Sequence, residues 1–169
     1  MEILNIKISR YRDLINGIKL YETDNLLNVL LNPVDYILDG ISFINKHYIK
    51  SVNLEEKDEV MIKILKHKLN LSEYNDDYKS FDAIGDVILY LQKNKSKLVE
   101  IGLESSSYSI IGNVSTFKEK YFTVKMLSTK AKYLKEENFE DRKIRMLTID
   151  SDYLKSLEFY IEKDQVDIR

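Results

Sequence analysis

Apolar and polar positions alternate along this chain according to one plan used twice. The first stretch runs from Gly17-Ile-Lys-Leu-Tyr21 through Leu26–Leu31 and Tyr36–Val52, then closes on acidic residues and a helical pattern. The second runs from Gly112 to Phe117, through Tyr121–Leu127 and Phe139–Ile149, and closes the same way. One offset of 95 residues lays Gly17 on Gly112, Leu26 on Tyr121, Val29 on Val124, Ile49 on Ile144, Val52 on Leu147 and Glu55 on Asp150. The agreement is one of pattern with few identities, so coincidence is the competing explanation.

Period-two alternation and β-branched or aromatic enrichment predict strands in both stretches. Ile3, Ile6 and Ile8 suggest a leading strand, and Tyr11, Leu14 and Ile15 fit a turn of helix before Gly17. Thr23-Asp-Asn25, Asn32-Pro33 and Asp39-Gly40 break the first stretch. At Asp39-Gly40 the alternation continues into Ile41 and Phe43, which favours a bulge in one bent strand over a hairpin turn. From Glu55 the period becomes helical. Val60, Met61, Ile64, Leu65 and Leu69 share one face, and Phe81, Ile84, Val87, Ile88 and Leu91 form a second stripe after a polar break at Ser72–Lys79. Val99, Ile101 and Leu103 open the second stretch. Ser128–Asn138 is too charged for a core strand and reads as a long hairpin loop, with Ile144, Met146 or Leu147, and Ile149 closing the unit. Asp150 and Asp152 offer caps to a last helix carrying Leu154, Leu157 and Ile161, and the final residues fray.

Composition narrows the class more than the job. There is no cysteine, hence no disulfide framework, thiol nucleophile or cysteine metal site, and a reducing cytoplasm is the expected setting. No apolar run approaches the roughly 18 residues of a membrane span, and no secretion signal is expected. A net charge of −2 gives no global attraction to phosphate. The charge is uneven, however. Residues 20–59 carry eight acids against three lysines, whereas 118–135 carry six lysines against Glu119. Such asymmetry marks partner surfaces or solvated loops.

Asp35–Lys50, Thr129–Tyr133 and Ile149–Leu157 together resemble uncharacterised bacterial proteins built from small Sm-like β-barrels. The resemblance implies a bent five-stranded barrel in each half and brings no catalytic residue. The expected fold is α+β, mainly β: two small antiparallel Sm-like barrels in tandem, a helical pair between them and a C-terminal helix. The corresponding divisions are 1–54, 55–95 and 96–169. One continuous sheet through both stretches, or a helical 26–31, would overturn the duplication and the barrels together.

Chemistry is thin. His47 and His67, the only imidazoles, lack metal-ligand spacing, and no glycine sits in a phosphate-cradling motif. Asp150 and Asp152 could pair on Mg²⁺, but helix capping explains them without an ion. The expectation is therefore no enzyme, no metal and no cofactor. The leading reading is a cytoplasmic protein-binding module, in one form an immunity-type inhibitor whose acidic face, Glu22, Asp24, Asp35 and Asp39, covers a basic toxin. The alternative is an RNA-binding module using Lys118, Lys120, Tyr121, Lys130, Lys132 and Tyr133, with lysines on phosphate and tyrosines stacked on bases. The two part on whether Tyr121 and Tyr133 are buried.

Overall fold

A computed structural model describes residues 1–71 and 76–167. Among the described residues, ten strands and three α-helices follow in the order β1 (Ile3–Ile8), β2 (Ile15–Glu22), β3 (Leu26–Leu31), β4 (Ile41–Asn45), β5 (Ile49–Leu54), α1 (Glu59–Leu71), α2 (Ile84–Lys93), β6 (Val99–Gly102), β7 (Ile110–Lys118), β8 (Tyr121–Leu127), β9 (Tyr133–Glu140), β10 (Met146–Ile149) and α3 (Asp152–Asp167). All the strands lie in one open antiparallel sheet, in the order β5-β1-β2-β3-β4-β10-β6-β7-β8-β9. The expected pair of separate barrels is therefore replaced by one hydrogen-bonded sheet, joined where Ile41–Ile44 of β4 pairs with Met146–Ile149 of β10.

The strand order nevertheless repeats within that sheet. Reading β10 against β5, β6 against β1 and so on to β9 against β4 gives the same sequence of neighbours in each half. Details obey the 95-residue offset. β2 and β7 begin at Ile15 and Ile110. An extra residue bulges from each, Leu20 between Lys19 and Tyr21, and Ser115 between Val114 and Thr116. A 3-10 turn, Lys46–Tyr48 or Asp141–Lys143, then separates the last two strands of each half. Bulges increase local twist, so both halves bend at the same place.

Because side chains alternate across a strand, the sheet has two faces with different fates. One carries a continuous core through both halves, with Ile18, Leu26 and Phe43 from the first and Ile101, Val124 and Leu147 from the second. Leu65 of α1, Tyr78 of the Asp76–Ser80 turn and Val87, Ile88 and Leu91 of α2 cover it. Phe43 meets the edge of Tyr78 at a centroid distance of 5.7 Å. The other face is buried in the first half by Leu4, Ile6, Ile8, Tyr11, Leu27, Val29 and Ile44. In the second half, among the described residues, Leu154 and Leu157 of α3 bury it at Leu98 and Leu127.

Several expectations change. Tyr11 is in a loop, not a helical turn. It is 5% exposed and fills the space left by Gly102, where a Cβ would overlap its hydroxyl. Asp39-Gly40 is not a bulge in one strand, because residues 32–40 form a loop that ends on Gly40 at φ 81°. The expected loop 128–138 shortens to a turn, and Tyr133–Glu140 is an exposed strand. As an edge strand it needs no apolar alternation, since ladder hydrogen bonds on one side suffice and charges guard the other. In the expected polar break, 76–80 is a 3-10 turn, while 72–75 lie outside the described residues, as do 168 and 169. At α3, Ser151 Oγ accepts from the Leu154 N–H and Asp39 accepts from the Asp152 N–H at 2.6 Å. Asp150 does not cap: its carboxylate pairs with Lys97 and accepts from the Tyr78 hydroxyl.

Candidate functional site

The β3–β4 loop is built from beneath. Asn32, 2% exposed, directs its amide nitrogen at two carbonyls, Asp35 at 2.8 Å and Ile37 at 2.7 Å. The Ile37 N–H reaches the Val34 carbonyl at 2.9 Å, closing a turn in which Asp35 takes φ 41°. Asp35 is suited to that left-handed value, because its short side chain can bond locally. Asp39 N–H to Leu31 and Leu31 N–H to Gly40 tie the loop's ends, and Lys68 of α1 donates to the Tyr36 carbonyl at 2.5 Å. With the backbone pinned, Val34, Tyr36 and Ile37 stand outward at 51%, 41% and 50% exposure. Three apolar side chains on a fixed loop beside Asp35 make a surface that can enter a partner's pocket without the cost of ordering the loop backbone.

The four acids expected to form one face are split. Asp35 and Asp39 flank this loop, whereas Glu22 and Asp24 lie at the β2–β3 turn, across the length of β3, roughly 20 Å of strand away. Glu22 accepts from Lys19 at 2.7 Å and from Lys46 at 2.8 Å, and those bonds hold its carboxyl below the usual range. Asp39 serves α3 with one oxygen. Only Asp35, and Asp39 through its other oxygen, remain beside the exposed apolar residues.

The lysine and tyrosine set divides similarly. Lys118, Lys120 and Tyr121 surround the β7–β8 turn, and Lys130, Lys132 and Tyr133 belong to the β8–β9 turn at the other end of β8. Tyr121 and Tyr133 are exposed, at 55% and 37%. Each is nonetheless engaged: Tyr121 donates to Glu140 at 3.1 Å, Tyr133 to Asn113 at 2.7 Å, and Lys125 lies 3.9 Å above the Tyr133 ring. Phe117 and Phe122 turn inward instead. Between the two turns the face is polar, with Thr116, Thr123 and Asn138 hydrogen-bonded in a row.

His47 and His67 are both exposed. Among the described residues no group of three His, Cys, Asp or Glu side chains stands close enough to hold a metal ion, and no helix is long and apolar enough to cross a membrane. No family model, curated protein or solved structure matches this chain. Sequence reasoning passed over Val34, Tyr36 and Ile37. The available signal was Asn32-Pro33 with apolar residues directly after it, a break whose polar member could anchor the loop backbone.

Proposed function

We propose that this chain is a non-enzymatic protein-binding module whose contact surface is the loop 32–40, in the concrete form of an immunity-type inhibitor that occludes a basic toxin. The observation that carries this reading is the pinned loop itself, with Val34, Tyr36 and Ile37 exposed on a backbone fixed by buried Asn32. Interface energy concentrates in a few aromatic and apolar anchors, and neighbouring charge steers the approach. Asp35 supplies that charge and selects a basic partner. A reducing cytoplasm suits a chain without cysteine, and each half of the sheet is taken as an Sm-like five-stranded unit.

The test compares the wild-type chain with a Val34→Ala, Tyr36→Ala, Ile37→Ala triple variant as bait in extracts of the native cell. The three side chains are outside the core, so the variant folds. A basic protein retained by the wild type and lost from the variant supports the reading. No protein retained above background by either one, or equal retention by both, refutes it.

The exposure of Tyr121 and Tyr133 favours a second reading, an RNA-binding module on the face between the β7–β8 and β8–β9 turns. Lys118, Lys120, Lys130 and Lys132 would neutralise phosphates while the two rings stack on bases. Affinity for mixed single-stranded RNA should then fall with a logarithmic salt slope of roughly 0.7 per phosphate neutralised. Absence of binding at low salt removes this reading and leaves the first untouched.

A further inference from the structure

Among the described residues, Arg145 is a buried cation whose charge is poorly matched. It sits between Ile144 and Met146 at the entry to β10 and is 5% exposed. Among the described residues, no carboxylate pairs with it. Nη1 donates to the Ser9 carbonyl, the guanidinium lies 4.6 Å above the Tyr48 ring, and Nε is buried with no acceptor. Burying a charge is expensive unless it is paired and its hydrogen bonds are made, and one carbonyl and one ring face fall short of that.

The same side chain lines a cavity of about 380 Å³, together with Tyr48 from the first half of the sheet and Leu103, Glu104, Tyr108 and Lys143 from the second. Lys143 adds a second cation: its mostly exposed side chain shares Glu140 with Arg142, at 3.2 Å and 3.1 Å, so a single carboxylate there stands against two cations. The one acid in the lining, Glu104, is already matched by Arg10 at 2.6 Å. What the cavity lacks is an anion.

We infer that this cavity at the junction of the two halves binds a small oxyanion, a phosphate or carboxylate group, held by Arg145 and Lys143. A planar guanidinium presents forked donors that match either group, and Lys143 closes the charge balance from the rim. The site is remote from the loop 32–40 and independent of the reading given to it. Its lining comes from both halves, Tyr48 from the first and Arg145 and Lys143 from the second, so occupancy adds to the contacts that already join them.

The experiment is thermal unfolding of the full chain with millimolar inorganic phosphate, acetate or chloride at constant ionic strength, backed by calorimetric titration of phosphate and acetate. A rise in melting temperature with phosphate alone identifies a phosphate site, and a rise with acetate alone a carboxylate site. Lys143→Gln leaves the fold intact, since its side chain is exposed, and weakens the effect. Arg145→Lys keeps the charge but loses the fork, and affinity drops by about tenfold. Equal melting in all three salts with no heat of binding overturns the inference, as does a rise of the same size in Lys143→Gln. Should Arg145→Lys fail to fold, the Lys143→Gln comparison decides alone.

Discussion

The two halves of the sheet share a strand order, a bulge and a 3-10 turn, yet their corresponding faces do opposite things. Leu26, Asn28, Leu30, Ile41 and Phe43 in the first half fall, under the 95-residue offset, on Tyr121, Thr123, Lys125, Glu136 and Asn138 in the second. The first set lies under α1 and α2, and the second faces solvent. Backbone pairing is thus indifferent to which face is covered. What decides it is the side chain set at each equivalent position, and the helices go where the apolar set is. The contrast between β4 and β9 has the same origin: β4 is buried because it is paired on both sides and roofed, whereas the strand in the same place in the other half is an edge.

Substitutions at paired positions test that contrast. Phe43→Ala should destabilise by about 3–5 kcal/mol, because a fully buried ring packed on Tyr78 and Phe81 is lost, whereas its counterpart Asn138→Ala should change stability by less than about 0.5 kcal/mol. Denaturant unfolding reads both, and equal costs would show that the two faces are not differently used.

The glycines carry the next largest effect. A Cβ on Gly112 would overlap the Lys125 carbonyl oxygen and crowd Val124, while one on Gly17 would stand 3.0 Å from the Leu30 oxygen and from the Val29 Cβ. Gly112→Ala should therefore cost about 3 kcal/mol and Gly17→Ala about 1 kcal/mol, so the tighter strand crossing is in the second half. A reversed order in urea midpoints would contradict this.

Val29 and Val124 sharpen the likeness, not the difference. Both are fully buried, and both are paired with the strand that carries the bulge. Truncating either to Ala should open a cavity and cost roughly 1–3 kcal/mol, with the two values within about 0.5 kcal/mol of each other. A large gap between them would mean that the equivalence is one of hydrogen bonds alone.

The smallest effect belongs to α3. Burial holds the Glu158 carboxyl above its ordinary range, against the lowering effect of the Leu98 N–H that it accepts at 2.6 Å. Its protonated form is favoured by folding, so this contribution is full below the unfolded value and is lost as pH rises through the folded one. Glu158→Gln should then gain a few tenths of a kcal/mol at neutral pH, modest because solvent still screens the group, and nothing in acid. A gain that grows as the pH falls would refute the assignment.

The single sheet removes the duplication of separate barrels, and what was legible in periodicity is the repeated order of strands, with Val29 and Val124 on one offset, together with the helices that Leu65 and Val87 declare by spacing. The 133–140 strand was not, since an edge strand such as Leu134-Lys-Glu-Glu137 carries no apolar alternation to detect. Nor was the pinning of the loop, which depends on Asn32 reaching carbonyls three and five residues onward, a matter of side-chain geometry. Arg145 escaped for a related reason. A cation beside Ile144 reads as solvent-facing until Tyr48 and Ser9, nearly a hundred residues or more away in the chain, are found on top of it.

The β4–β10 join carries one more consequence. By strand order, β10 corresponds to β5 and β4 to β9, so the two strands paired on one side alone, at the ends of the sheet, are the two unmated parts of a seam the chain has already sewn once. A contact of that kind between copies would be head-to-tail and need not close, which is the geometry of filament growth. Lys50 on β5 and Lys135, Glu136 and Glu137 on β9 place charge along both borders, the usual guard against such growth. Their solvent exposure is therefore a form of containment, and making these borders apolar would turn a finite sheet into one with no intrinsic length.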